Sequence, residues 1–167
     1  AAKNFPDVLV VIDPADYDEI IKIINNNEDI SYEYRKKMAY KAFNHTAEYD
    51  SVIQEYLFDN IEEKSKFPEK MVKSFYKSFD LRYGENPHQE ASFYKERKVE
   101  ESSITNAKKL SGKKLSFNNI NDTNGAIELI KEFNEIPTAA VIKHTNPCGL
   151  ASADNIVDAF KNAHLGD

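Results

Sequence analysis

Pro137-Thr138-Ala139-Ala140-Val141-Ile142-Lys143-His144-Thr145-Asn146-Pro147-Cys148-Gly149-Leu150 is the stretch that decides the fold class. The apolar, partly β-branched run Thr138–Lys143 predicts a buried strand. Pro137 ends the connection before it, and His144–Leu150, with its Pro and Gly, predicts a loop after it. Upstream, Asp122 is the expected cap of a helix from Thr123 to about Phe133, with Ala126, Ile127, Ile130 and Phe133 as its apolar face. Downstream, Ser152 or Asp154 is expected to cap a helix carrying Ile156, Val157, Ala159 and Phe160. Helix, strand, loop, helix is the grammar of an α/β fold.

The first half follows the same grammar. Val8–Ile12 predicts a strand buried on both faces, as in a parallel sheet. Asp13-Pro14 predicts a helix start, because Asp accepts from the first free N–H groups and Pro is preset for the first helical position. Ile20, Ile21, Ile23 and Ile24 would form its buried side, and Asn25-Asn26-Asn27 its end. Ser31 is expected to cap a long helix to about Phe58, with a stripe of Met38, Ala42, His45, Tyr49, Ile53 and Tyr56. Charge then crowds in around Pro68, at Glu62, Glu63, Lys64, Lys66, Glu69, Lys70 and Lys73. The expected organisation is therefore a first domain portion over 1–60, a linker over 61–78 and a second domain portion over 79–167. Phe79–Tyr83 and Ala91–Tyr94 read as short strands, and Ile104–Leu110 fits either state.

Composition narrows the function classes. Lys and Arg number 22 against 28 Asp and Glu, so the net charge of −6 disfavours nucleic acid as a partner. With Cys148 as the single cysteine, no intrachain disulfide forms, and the cytoplasm is the expected compartment. No apolar run is long enough to span a bilayer, so no membrane partner is expected, and no signal peptide is visible at Ala1-Ala2-Lys3-Asn4. Neither end reads as a natural terminus, so an excerpt of a longer polypeptide is expected.

Polar residues cluster in three places. Leu81-Arg82-Tyr83-Gly84-Glu85-Asn86-Pro87-His88-Gln89 gathers Arg, Tyr, Asn, His and Gln around a Gly and a Pro. Arg82 offers a planar fork suited to phosphate or carboxylate, although a polar turn would look the same. Lys114-Leu115-Ser116-Phe117-Asn118-Asn119-Ile120-Asn121-Asp122 sets three Asn and an Asp before the expected helix start, where N–H groups favour an anion or carbonyl; Asx residues also simply make turns. Val141–Gly149 delivers Lys143 and His144 at the carboxyl end of a strand, where open α/β sheets bind ligands. Histidine serves as a general base and lysine stabilises a developing oxyanion. Strand alternation would point the two apart unless the chain bends there.

Other motifs fail. There is no G-x-G-x-x-G and no Walker loop. Pro147-Cys148 lacks the second Cys and the preceding H-x-E of zinc deaminases, and no metal is expected. A thiol nucleophile at Cys148, or a non-catalytic nucleotide-binding or oligomerisation module, stays open as an alternative.

Taken in order, Leu81–Gln89, Lys114–Asn124 and Ile142–Gly149 resemble the conserved blocks of the bifunctional purine enzymes that join an AICAR (aminoimidazole carboxamide ribonucleotide) transformylase to an IMP cyclohydrolase. Ala1–Asn4 and Lys41–Asp50 resemble the closing part of the cyclohydrolase domain, so the resemblance covers nearly the whole chain. It implies the end of a methylglyoxal-synthase-like α/β cyclohydrolase domain followed by the start of a cytidine-deaminase-like transformylase domain without zinc. The implied activities are formyl transfer from formyl-tetrahydrofolate, the co-substrate, to AICAR giving FAICAR, then cyclisation and dehydration to IMP. The implied assembly is a homodimer with transformylase sites across the subunit interface. Lys143 and His144 match the catalytic pair, Arg82 and Tyr83 match residues that contact the nucleotide, and His88 matches a histidine of the same site. Asn119 matches an asparagine near the substrate carboxamide, and Lys3 a lysine of the separate cyclohydrolase site. Some members carry a small non-thiol residue at the position of Cys148, which argues against a catalytic cysteine. The chain alone is expected to be inactive.

Overall fold

The computed structural model describes residues 1–63 and 65–166; Lys64, in the expected linker, and Asp167, the last residue of the expected second domain, lie outside the described residues. The chain divides into two compact units, Ala1–Ser74 and Phe75–Asp167.

The first unit is helical. A 3₁₀ turn at Ala2–Asn4 leads into an extended segment, and the predicted strand at Val8–Ile12 does not form: these residues carry no ladder, and Val8 and Ile12 are exposed. A strand exists only against a neighbour, and no described segment pairs with this run. Asp13 caps a 3₁₀ turn, Pro14–Asp16, by accepting from Ala15 N at 2.9 Å, and the turn runs into α1, Tyr17–Asn25. Only Ile20 of the four isoleucines is buried; Ile21 and Ile24 face solvent. Asn27 then takes a left-handed φ of 53°, a conformation asparagine tolerates better than most residues. Ser31 caps α2, Tyr32–Asp59, by accepting from Tyr34 N at 3.2 Å. Met38 and Ala42 of the predicted stripe are buried, whereas His45, Tyr49, Ile53 and Tyr56 are exposed; the second half of α2 buries Ser51 instead, against Ser74. Arg35 ties α2 to the N-terminal segment, donating to the carbonyls of Phe5 (3.0 Å), Pro6 (2.6 Å) and Ile30.

The second unit is α/β with two small antiparallel sheets; the parallel sheet expected from the sequence is absent among the described residues. β1, Phe75–Asp80, pairs with β2, Ser92–Glu96, through a bulge between Lys77 and Phe79. The Phe79 and Phe93 rings stack across the pair at 5.3 Å. The strand expected at Phe79–Tyr83 thus lies earlier. Leu81 N still reaches Ala91 O, but Arg82 N then donates to Leu115 O and Tyr83 O accepts from Phe117 N. The chain changes partner at Arg82. Ile104–Asn106 forms a single 3₁₀ turn.

α3 runs Phe117–Lys131 and is capped by Ser116, six residues before the expected Asp122 (122 − 116 = 6). β3, Thr138–Lys143, forms where predicted but is half-buried. The expected loop after it is a strand, β4, Asn146–Ser152, joined to β3 by the two-residue turn His144-Thr145. By local preference Pro147 and Gly149 favour a loop. They are accommodated because β4 has a partner on one side only and because Cys148 sits at the register shift between Val141 and Ile142. α4, Ile156–Leu165, is capped by Asn155, which accepts from Asp158 N at 3.0 Å, rather than by Ser152 or Asp154. Its Ala159 and Ala163 are fully buried, small enough to bring the helix close to the β3–β4 hairpin that it packs on.

Candidate functional site

Three sequence segments meet on α3. At its N-terminus, Ser116 is 1 % exposed and closes a capping box: Asn119 N donates to Ser116 Oγ at 3.3 Å, and Ser116 N and Oγ both donate to Asn119 Oδ1 at 3.1 Å. Since a backbone N–H must find an acceptor, the Asn119 oxygen is committed to the cap, and its amide NH₂ is the end left for a ligand. Asn118–Asp122 therefore lie inside the first turns of the helix, not before it.

The Arg82–Gln89 loop docks at this cap through the two backbone bonds to Leu115 and Phe117. Arg82 lies over the Tyr83 ring, 4.8 Å from its centroid, and donates to Tyr83 Oη at 3.0 Å. That bond, and then the Ser116 hydroxyl, hold the Tyr83 phenol below its usual range. The rest of the loop is closed by Gly84 N donating to Gln89 O (2.8 Å) and Asn86 N to Gln89 Oε1 (2.8 Å). A Cβ on the buried Gly84 would stand 3.0 Å from Gln89 Cβ, so a larger residue would press on Gln89 in the closed loop. His88 is exposed in the turn at the far end of this loop.

The third segment docks farther along α3. His144 and Thr145 have φ of 55° and 70°, the left-handed pair of a tight hairpin turn for which Asn-Gly is the favoured sequence. A threonine there is an outlier, and such residues cost about 1–3 kcal/mol each unless their surroundings enforce them. Here α3 supplies the enforcement. Asn121 Nδ2 donates to Thr145 Oγ1 (3.1 Å), which donates to Asp122 Oδ1 (3.3 Å). Gly125 lies beneath: a Cβ there would come 2.9 Å from Thr145 Cγ2 and 3.0 Å from Thr145 O. Asn146 Nδ2 donates to His144 O at 3.0 Å. Asn121, Asp122 and Gly125 share one face of the helix at spacings of three and four. Strand alternation ends at Lys143, because His144 already belongs to the turn.

Lys143 and His144 are exposed neighbours at the hairpin tip, and Arg82, Tyr83 and Asn119 gather at the N-terminus of the same helix. From Ser116 to Asp122, α3 rises about 9 Å, at roughly 1.5 Å per residue. Lys3 belongs to the first unit, where it is exposed in its 3₁₀ turn and does not line that unit's cleft of ≈ 450 Å³ between Asp7, Leu9, Ile24, Glu28 and Arg35. Cys148 is half-buried, with its thiol donating to Val141 O at 3.4 Å. Sequence reading missed Ser116, Thr145 and Gly125. The one available signal was Ser116 three residues before a residue able to reach back to it.

A family model described as AICARFT/IMPCHase bienzyme matches residues 1–167. The chain belongs to that family. Its relatives include a "Bifunctional purine biosynthesis protein PurH" of Ruminiclostridium cellulolyticum and another of Acetivibrio thermocellus, each 52 % identical over 167 residues. A third, of Oceanobacillus iheyensis, is 48 % identical over the same length. The whole chain is covered in each case but only 32 % of the relative, so the chain spans about a third of the proteins it matches. In this AICARFT/IMPCHase chain, all three resembling blocks fall in the second unit, and Lys3 and Lys41–Asp50 in the first. No helix among the described residues is long and apolar enough to cross a membrane.

Proposed function

We propose that this chain is part of a cytoplasmic, homodimeric enzyme that formylates AICAR from formyl-tetrahydrofolate and then closes FAICAR to IMP. Residues 1–60 would end the methylglyoxal-synthase-like cyclohydrolase domain, and 79–167 begin the cytidine-deaminase-like transformylase domain. The observation that carries the reading is that one helix, α3, holds both the Arg82–Tyr83 loop and the Lys143–His144 turn.

The AICAR amine is a weak nucleophile because its lone pair is delocalised into the imidazole ring. His144 would remove its proton as it attacks the formyl carbon. Lys143 would stabilise the charge that develops on the formyl oxygen, or protonate the departing folate nitrogen. Arg82, with its guanidinium over Tyr83, suits an anionic group of the nucleotide, and His88, in the turn of the same loop, would be a further contact of that site. Asn119, its oxygen held by the cap, would offer its NH₂ to the carboxamide oxygen. Such positioning keeps the amine in attack range. Cyclisation is a separate event, with Lys3 at the cyclohydrolase site.

In the full-length protein, Lys143→Ala or His144→Ala should each lower formyl transfer by about 100-fold or more, the usual worth of a general acid or base, with cyclisation of added FAICAR unchanged. Full transfer activity in both variants would rule the assignment out.

A further inference from the structure

We infer that Thr145, clamped on α3 by Asn121, Asp122 and the bare Cα of Gly125, is the residue that positions His144 for formyl transfer; the inference rests on the catalytic reading of His144 given above. A left-handed histidine followed by a left-handed threonine is not a turn that local preference would choose. It persists because neighbours over-determine it. The Thr145 hydroxyl accepts from one α3 side chain and donates to another, and its backbone rests where a side chain at 125 would lie. Those contacts set the backbone at 145, and Asn146 Nδ2, donating to His144 O, pins the peptide that joins 144 to 145; on the other side of His144, Lys143 is held by its pairing with Asn146 in the β3–β4 ladder. The direction in which the His144 side chain leaves the backbone then follows from α3, the same helix that anchors Arg82 and Tyr83. Base and nucleotide contacts are thereby referred to one rigid element, and small misplacements of a catalytic group are costly. Thr145 touches no reacting atom in this account; it acts through His144.

The test uses the full-length protein, with FAICAR cyclisation by the separate domain as an internal measure of enzyme concentration and AICAR binding as the measure that the transfer domain is folded. Thr145→Val keeps the shape and removes the hydroxyl. Gly125→Ala keeps every hydrogen-bonding group, places a methyl under the turn, and is by propensity a better helix residue. Both should lower kcat for transfer by about 10- to 100-fold, with KM for AICAR within about twofold of wild type. Thr145→Ser, which restores the hydroxyl, should recover most of the rate. Transfer at wild-type rate in Thr145→Val and Gly125→Ala, or a rise in KM at constant kcat, would overturn the positioning role. His144→Ala is measured alongside: if it stays active, the catalytic reading has failed, whereas if it is inactive and the Thr145 and Gly125 variants are normal, only the positioning inference has.

Discussion

Asp13 illustrates what a residue reveals locally and what it conceals. Its place before Pro14 marks it as a helix cap, and its carboxylate does cap Ala15 N. Its second partner lies 28 residues away: Lys41 Nζ reaches Asp13 Oδ2 at 2.6 Å and Asp16 Oδ2 at 2.7 Å. No spacing rule announces that meeting, because it depends on how α2 returns past the first turn. The Lys41 bond, and then the Ala15 N–H, hold the Asp13 carboxyl below its ordinary range, while Asp13 and then Asp16 hold the Lys41 ammonium above its own. A lowered acid stabilises the fold above its unfolded pKa and loses that effect as pH falls through the folded one. A raised base does so below its unfolded pKa and loses the effect as pH rises through the folded one. The difference in melting temperature between this chain and its Lys41→Met variant should therefore be level between about pH 5 and 9, and shrink below about pH 4 and above about pH 10.5. A difference independent of pH would show that the pair adds nothing electrostatic. The site residues divide in the same manner. Lys143, His144 and Arg82 stand out in sequence by their chemistry, whereas Thr145 and Gly125 do not, because their importance lies in a contact between a turn and a helix face.

At the scale of elements, the helices were read well where a cap was unambiguous, as at Ser31, and shifted where several candidates competed. Between residues 116 and 124 there are Ser, Asp, Thr and four Asn, all capable of capping. Ser116 prevails because Asn119 closes the box with it and because Arg82 and Tyr83 pair with the backbone on either side. Ser116→Ala should cost about 1 kcal/mol in denaturant unfolding, a typical cap loss, and should weaken AICAR binding by releasing Asn119. The β3–β4 hairpin was half-read: its first strand is apolar, but its second carries Pro147 and Gly149, and its turn carries residues that turn statistics disfavour. A histidine held in the left-handed region leaves stability to be gained there. His144→Asn, which suits the left-handed position, should stabilise the chain by about 0.5–1 kcal/mol while abolishing transfer in the full-length protein. A loss of stability would show that the histidine is not strained there.

At the scale of the whole molecule, the buried apolar side chains among the described residues are few: Ile20, Met38, Ala39, Ala42, Ala159 and Ala163. Large apolar groups such as Tyr40, Phe67, Met71, Leu110 and Phe160 are exposed. Large apolar side chains left exposed beside so small a core favour burial against other protein, and the relatives are about three times as long as this chain. The isolated chain should accordingly bind a hydrophobic reporter dye strongly, and the full-length protein much less per molecule. Equal fluorescence from the two would mean that these side chains stay exposed in the larger protein.

By itself the sequence determined the α-helices, the strand at Thr138–Lys143 and, through three ordered blocks, the family, because capping, apolar periodicity and motif order are properties of neighbouring residues. Only the tertiary structure decided that Val8–Ile12 goes unpaired within the described chain, that Asn146–Ser152 is a strand, and that Gly125 receives Thr145. Each of these turns on a partner distant in the chain, and hydrogen bonds and close approaches between distant residues leave no period in the residues that make them.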